Sequence, residues 1–294
     1  MSERILITGA SGLLGAALGL GLARAEHNVL GIRRSHPRSL PFPETCLDLL
    51  KFSELDALFA GFRPTVVIHA AALSRVLDCE RQPAEARLQN VKTTAQLVQW
   101  SHAYNAYFLF VSTDQVFDGQ RGRFAETDLP APTHVYGETK RDAEDVVAGF
   151  PATLILRSNN IVGRNSGWGR SFTDGLLDQL LNHRQVSLFS DQYRSPIHLA
   201  TMVEVISNCV KQRLTGILHA GGPERLSRFE TGLALTRSYG LPLTLLDGAP
   251  MSSHPEAATL HRDGSFDTAT LHSLFPELAS QRIDEGFTRD ASAQ

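Results

Sequence analysis

The chain has 294 residues, 42% of them hydrophobic and 20% charged, a balance typical of a soluble globular protein with a sizeable core. Its net charge of −3 at pH 7 provides no basic surface, so neither nucleic acid nor membrane is expected as a partner. Cys46, Cys79 and Cys209 are widely spaced without a CxxC pair, and the eleven histidines show no H-E-x-x-H spacing. Reduced thiols and no metal site are therefore expected.

The amino terminus runs directly into a strand pattern with no signal-peptide layout, and no apolar run approaches a membrane span. A cytoplasmic protein is expected. Apolar runs at 4–8, 27–32, 65–69, 107–111 and 152–157 read as buried parallel strands. Helical patterns at 13–25, 53–61, 85–103 and 136–149 alternate with them. Repeated strand–helix units imply an α/β fold on a doubly wound parallel sheet (Rossmann). The proline-rich segment 36–43 reads as a loop, as does 118–134. After Arg157 the alternation weakens, with helical stretches at 171–183, 199–212 and 228–239 among short strands. The expected division is therefore a dinucleotide-binding domain over 1–157 and a smaller mixed α/β substrate-binding lobe over 158–294. Its boundary is soft, because such lobes often return strands or helices to the main sheet.

The first strand is followed by Thr8-Gly-Ala-Ser-Gly-Leu-Leu-Gly15. Gly9 permits a tight turn, Gly12 lets backbone approach a pyrophosphate, and Gly15 allows close helix–sheet packing. Ser11, Leu13 and Leu14 complete this turn, and the helix amino terminus offers free amides to phosphates. The spacing is G-x-x-G-x-x-G, not the commoner G-x-G-x-x-G. Enzymes preferring NAD place a carboxylate near the end of the second strand, but that place reads Gly31-Ile-Arg33-Arg34-Ser35. Two guanidiniums suit a 2′-phosphate, so NADP(H) is the expected cofactor, with NAD(H) as the alternative. Asp48 and Leu49 are placed to meet the adenine, and Ala70, Ala71 and Ala72 to form a small-residue wall beside the cofactor.

Tyr136 and Lys140 stand four apart in Val135-Tyr-Gly-Glu-Thr-Lys140. Four residues apart on a helix means one face, so phenol and ammonium can share a cleft. The ammonium is expected to lower the phenol's pKa and ready it to pass a proton to a carbonyl oxygen. Both would also contact the cofactor.

These motifs, with Gln89-Asn-Val91, Val111-Ser-Thr-Asp-Gln-Val-Phe-Asp-Gly119, Asp191-Gln-Tyr-Arg-Ser-Pro196, Ala220-Gly-Gly-Pro-Glu224 and Arg262-Asp-Gly-Ser-Phe-Asp267, resemble the extended short-chain dehydrogenase/reductase superfamily. The narrower resemblance is to its dTDP-4-dehydrorhamnose reductase family, over nearly the whole chain. It implies NAD(P)H-dependent reduction of a 4-keto-6-deoxy sugar linked to a nucleotide diphosphate, in polysaccharide or secondary-metabolite synthesis. Carried over by position, Tyr136 would donate the proton and Lys140 would hold the nicotinamide ribose. Thr113 would hydrogen-bond the substrate carbonyl. Asn90 would either support a water path toward Lys140 or pin a helix bend. Ser74, Asp114 and Gln115 fall where the family meets substrate. Arg164, Arg170 and Arg194 read either as phosphate partners or as solvated charges, and Trp168 as cover for a base or sugar.

Related 4,6-dehydratases resemble S-T-D-E-V where this chain has Asp114-Gln115. Glutamine cannot accept a proton there, so simple reduction is expected rather than dehydration. Two segments depart from the reductase pattern: Val76-Leu77 stands where the family carries V-D, with Asp78 displaced by one, and Leu156-Arg-Ser-Asn-Asn-Ile-Val-Gly163 lacks an aromatic ring. Two alternative readings stand beside the reductase. One is a non-catalytic, NADP-binding regulatory subunit similar to the methionine adenosyltransferase beta subunit; the other is a nucleotide-sugar epimerase. A homodimer is the expected assembly by base rate.

Overall fold

The computed structural model describes residues 2–35, 39–164, 168–254 and 260–292. Residues 36–38 of the proline-rich loop and 165–167 ahead of Trp168 therefore lie outside the described residues. The first half runs β1 (Arg4–Thr8), α1 (Leu13–Arg24), β2 (Asn28–Arg33), β3 (Glu44–Cys46), α2 (Phe52–Phe62) and β4 (Val66–His69). It continues with α3 (Val76–Arg81), α4 (Pro83–Arg87), α5 (Thr93–Ala103), β5 (Tyr107–Thr113), α6 (Val135–Ala148) and β6 (Thr153–Ser158). The second half holds β7 (Ile161–Val162), α7 (Phe172–Leu181), β8 (Val186–Phe189), β9 (Tyr193–Arg194), β10 (Ile197–His198), α8 (Leu199–Gln212) and β11 (Gly216–Ala220). After these come β12 (Leu226–Ser227), α9 (Arg228–Ser238), β13 (Leu246–Ala249), α10 (Ala269–Leu274), α11 (Pro276–Ala279) and α12 (Ile283–Ser292).

Seven strands form one sheet in the order β11-β6-β5-β4-β1-β2-β3, and every pairing in it is parallel. Helices cover both faces of such a sheet, so its strands are apolar throughout. All four residues of β4 are buried, as are Ile5 to Thr8 of β1. One face packs on α1 and α8 through Leu14, Leu18, Leu22, Met202, Val205 and Ile206. The other packs on α2, α5 and α6 through Leu55, Phe59, Leu97, Val98, Ala143 and Val147. A separate cluster around Leu176, Leu177, Leu180, Leu235 and Phe287 forms the core of the second half. Serine capping boxes start both of its main helices, Ser171 with Asp174 on α7 and Ser227 with Glu230 on α9.

The second half is not separate from the sheet: β11 pairs with β6, so the chain returns past residue 157 to supply a sheet edge. The helix expected over 85–103 is broken. A π-helical turn over Leu88–Lys92 separates α4 from α5, and long-range bonds hold it. Asn90 Oδ1 accepts from Leu73 N at 2.8 Å, and Nδ2 donates to Leu73 O at 3.0 Å and Thr139 Oγ1 at 2.9 Å. No periodicity encodes a bend fixed from the β4 loop and α6. The segment after the proline-rich loop forms β3, a strand that sequence reasoning missed. Among the described residues no helix is long and apolar enough to cross a membrane.

Candidate active site

The glycine turn sits where β1 leaves the sheet. Gly9 has φ +69°, which L side chains rarely adopt, and a Cβ there would stand 2.8 Å from Ala71 N. A Cβ on Gly15 would stand 2.3 Å from Gly9 O, so the first turn of α1 rests directly on the loop. Gly12 is exposed, with only Gly9 O near its missing Cβ, at 3.2 Å. The three glycines thus divide into turn, open backbone and close packing.

Beneath the turn lies a directed hydrogen-bond chain. Thr94 Oγ1 donates to Asn90 O, so it accepts from His69 Nε2 at 2.9 Å. His69 Nδ1 then accepts from Thr8 Oγ1 at 2.6 Å, and Thr8 Oγ1 accepts from Ala71 N. His69 is wholly buried, and burial followed by the charge of Lys140 pushes its pKa down to about 3. It is a neutral tie between the ends of β1 and β4 and the π-helical bend.

A cleft of about 440 Å³ opens over this turn. Its floor is Gly9, Ser11, Gly12, Leu13, Leu14 and Gly15, and one wall is Ala70, Ala71 and Ala72. Arg33, Arg34, Asp48 and Leu49 line its far end, and Ser74 and Gln89 the other. The cofactor residues read from the glycine turn, the end of β2, Asp48–Leu49 and the three alanines therefore line one cleft, with Ser74 among them; Tyr136 and Lys140, also expected at the cofactor, are not part of this lining. The shape fits an extended dinucleotide, with exposed amide backbone in its middle for phosphates.

Arg33 differs from expectation. A carboxylate does reach this end of the cleft, from β3: Glu44 Oε2 accepts from Arg33 Nε at 2.8 Å and Oε1 from Arg33 Nη2 at 3.0 Å. Glu44 also accepts from Leu40 N at 3.1 Å. The ion pair positions Arg33 and offsets its charge. Arg34 is exposed, and no side-chain partner holds it among the described residues.

Thr113, Asp114, Gln115, Tyr136 and Lys140 meet at the carboxyl end of β5. Thr113 caps the 3₁₀ turn Asp114–Val116 by accepting from Gln115 N at 3.2 Å, and its hydroxyl donates to Asp114 Oδ1 at 3.2 Å. Tyr136 is hydrogen-bonded to Thr113 as well. Lys140 is buried; Nζ donates to Val111 O at 2.8 Å and lies 3.8 Å from the centre of the Phe110 ring.

The expected lowering of the Tyr136 pKa is not what this geometry gives. Burial raises it, the Thr113 hydrogen bond only partly opposes that, and Asp114 and Cys79 add to the rise. The ammonium of Lys140 is directed at Val111 O, and burial drives its own pKa down to about 7 against a smaller pull from Glu144. Desolvation outweighs pairing for both groups.

His134 was not singled out from the sequence, yet it organises this centre. Nδ1 accepts from Gly137 N at 3.0 Å, capping α6, which leaves Nε2 to donate to Gln115 Oε1 at 2.8 Å. Its ring stacks on Tyr136 at 6.2 Å and on His261 at 5.0 Å. Histidine is an unusual helix cap, so the capping signals used for serine or aspartate do not find it.

The remaining substrate candidates separate. Arg194 is buried in an ion pair with Asp114, Nε to Oδ2 at 3.0 Å, joining the second half to the carboxyl end of β5. Arg164 pairs with Asp174 at 3.5 Å and Arg170 with Asp178, so α7 draws both aside. Trp168 is partly buried and packed against the main core. A Cβ on Gly169 would stand 2.3 Å from Leu13 N, so this loop lies on the glycine turn. The 156–163 segment that lacks an aromatic ring instead contributes Asn159 and Arg157. Asn159 Nδ2 donates to Gly264 O at 2.7 Å, and Arg157 forms a buried pair with Glu144 at 2.7 Å.

The chain is similar to several known proteins. It is 32% identical over 265 residues to the methionine adenosyltransferase 2 subunit beta of Xenopus laevis, covering 88% of this chain and 78% of that protein. It is 29% identical over 241 residues to the dTDP-4-dehydrorhamnose reductase of Aggregatibacter actinomycetemcomitans, covering 79% of this chain and 78% of the relative. The crystal structure of the Bacillus anthracis dTDP-4-dehydrorhamnose reductase superposes with a TM-score of 0.88 at 24% identity, covering 100% of both chains, which shows the shared fold. The model of the RmlD substrate binding domain family matches residues 3–282. With a glycine turn, a Tyr136–Lys140 helix and a seven-stranded parallel sheet in one frame, the chain belongs to the RmlD substrate binding domain family, within the extended short-chain dehydrogenase/reductases.

Proposed function

We propose that this protein is an NADP(H)-dependent reductase of a nucleotide-linked 4-keto-6-deoxy sugar. The observation that carries this reading is the convergence of Thr113, Tyr136 and Lys140 at the end of β5, next to a dinucleotide-shaped cleft. Residues 1–157 supply that cleft, and 158–294 the lobe that receives the sugar nucleotide. A bound reduced nicotinamide supplies the hydride. The protein does the rest: Thr113 orients the substrate carbonyl, and Tyr136 gives its proton to the oxygen as charge builds there. Burial keeps the phenol protonated at neutral pH, and the alkoxide formed by hydride addition is a strong enough base to take that proton. Lys140, whose Nζ donates to Val111 O, is the residue that would hold the cofactor ribose. The test is consumption of reduced cofactor with dTDP-4-keto-6-deoxyhexose, expected to be stoichiometric with reduced sugar. An epimerase would interconvert sugars with no net consumption.

Cofactor choice follows from the far end of the cleft. Arg33 is held by Glu44, so Arg34 is the guanidinium free to close on a 2′-phosphate. Arg34→Ala is expected to weaken NADPH binding about tenfold, the scale of one charge-assisted contact, and to leave NADH binding unchanged. Titration of both nucleotides by fluorescence checks this, and equal loss for the two would refute it.

A second reading has a specific observation in its favour, the 32% identity to a methionine adenosyltransferase beta subunit. On that reading the cleft binds the dinucleotide and the protein modulates a partner enzyme. Stable co-purification with a methionine adenosyltransferase catalytic subunit, without turnover of keto sugars, would select it.

A further inference from the structure

The two hydrogen bonds of His134 fix its tautomer. Nδ1 accepts from Gly137 N at 3.0 Å, so Nε2 carries the proton and donates to Gln115 Oε1 at 2.8 Å. That contact orients the Gln115 amide: its oxygen meets His134, and its Nε2 donates to Asp114 Oδ2 at 3.3 Å. Arg194 Nε holds the same carboxylate oxygen at 3.0 Å. The other, Oδ1, accepts from Thr113 Oγ1 at 3.2 Å. Thr113 has one hydroxyl proton and gives it to Asp114, so in its bond with Tyr136 the threonine oxygen accepts. Two directed lines therefore leave the start of α6 and end on Asp114. One runs from His134 through Gln115, the other from Tyr136 through Thr113. Burial lowers the His134 pKa and drives that of the stacked His261 down to about 4. A neutral ring is what the two bonds of His134 require.

Capping α6 needs only Nδ1. The bond from Nε2 adds nothing to the cap, and it leads to the two hydroxyls that the reductase reading places at the substrate carbonyl. We infer that His134 is a positioning residue for the reduction: through Gln115 it sets the placing of Asp114, and so the direction in which Thr113 and Tyr136 hold their protons. This rests on the reductase reading and deepens it. The ring also lies 14° from parallel to Tyr136, with centroids 6.2 Å apart, so the same side chain borders both lines.

The test separates the two nitrogens. Asparagine puts an oxygen where Nδ1 accepts and keeps the cap; glutamine carries an amide out to the place of Nε2 and keeps the donor. Stacking on Tyr136 is lost in both, so it cancels in the comparison. His134→Asn is expected to melt like the wild type, to bind NADPH equally well, and to lose about three- to tenfold in kcat with dTDP-4-keto-6-deoxyhexose, the weight of one hydrogen bond. His134→Gln is expected to recover most of that loss while melting about 2–4 °C lower, the weight of a missing cap. Activity that follows melting temperature in the two variants would overturn the assignment and leave His134 a cap. Gln115→Met, which leaves the cap untouched, should lose the same factor, and adding His134→Asn should then cost nothing more; additive losses would also overturn it. Failure of the reductase reading is separately visible as no keto-sugar turnover by the wild type. The network is then read by proton NMR: a His134 Nε2–H protected from exchange in the wild type and lost in Gln115→Met supports it, and its absence from the wild type refutes it.

Discussion

Tyr136→Phe is expected to lower kcat by about two to four orders of magnitude, the usual weight of a positioned general acid, with NADPH affinity unchanged. The ring is kept, so stacking on His134 survives, while the hydroxyl is lost with its proton and its bond to Thr113. Because burial raises the Tyr136 pKa, the phenol stays protonated through neutral and moderately alkaline pH. Residual activity in Tyr136→Phe should therefore show no added pH dependence there. The measurement is a kcat–pH profile for both proteins; a variant retaining more than a tenth of wild-type kcat would remove Tyr136 from the proton-donor role.

The second large effect is a gain of stability. Lys140→Met is expected to stabilise the cofactor-free protein at pH 7 by about 1–3 kcal/mol while abolishing reduction. The folded-state pKa of Lys140 lies near 7, below the 10.5 of a free lysine. Between those values the unfolded chain binds the extra proton, so stability from this site rises with pH through that window. Below pH 7 both states are protonated and the full penalty of a buried ammonium is present. Loss of the bond to Val111 O returns about 1 kcal/mol of the gain. Thermal unfolding of both proteins at pH 7 and pH 10 checks the sign: the variant's advantage should be large at pH 7 and nearly vanish at pH 10. A destabilised variant at neutral pH would show that the ammonium supports the fold instead of burdening it.

Legibility in the sequence followed the range of the forces involved. The glycine turn and the Tyr136–Lys140 pair are local, set by backbone conformation and helical spacing, and both stand where the residues predicted. Five of the six strands of the first half are continuous apolar runs and were readable for the same reason; the short β3 was not. What escaped depends on partners far along the chain. The π-helical bend is pinned by Leu73 and Thr139, Arg33 meets its carboxylate from β3, and Asp114 is joined to Arg194. His134 escaped for a different reason, because a ring nitrogen replaced the hydroxyl or carboxylate expected of a cap. Reading Lys140 as a simple activator of Tyr136 erred on burial, which spacing does not report.

The pairing of β11 with β6 bears on how the protein can be dissected. A fragment ending at Arg157 would strip β6 of its outer neighbour and leave a buried, apolar strand with a row of unsatisfied amides and carbonyls. Such an edge is a template for strand addition by another copy. The first half, although it carries its own glycine turn and the Tyr136–Lys140 helix, should therefore aggregate when expressed alone. Co-expression with the remaining residues should rescue it, because Gly216–Ala220 can then dock as the missing strand.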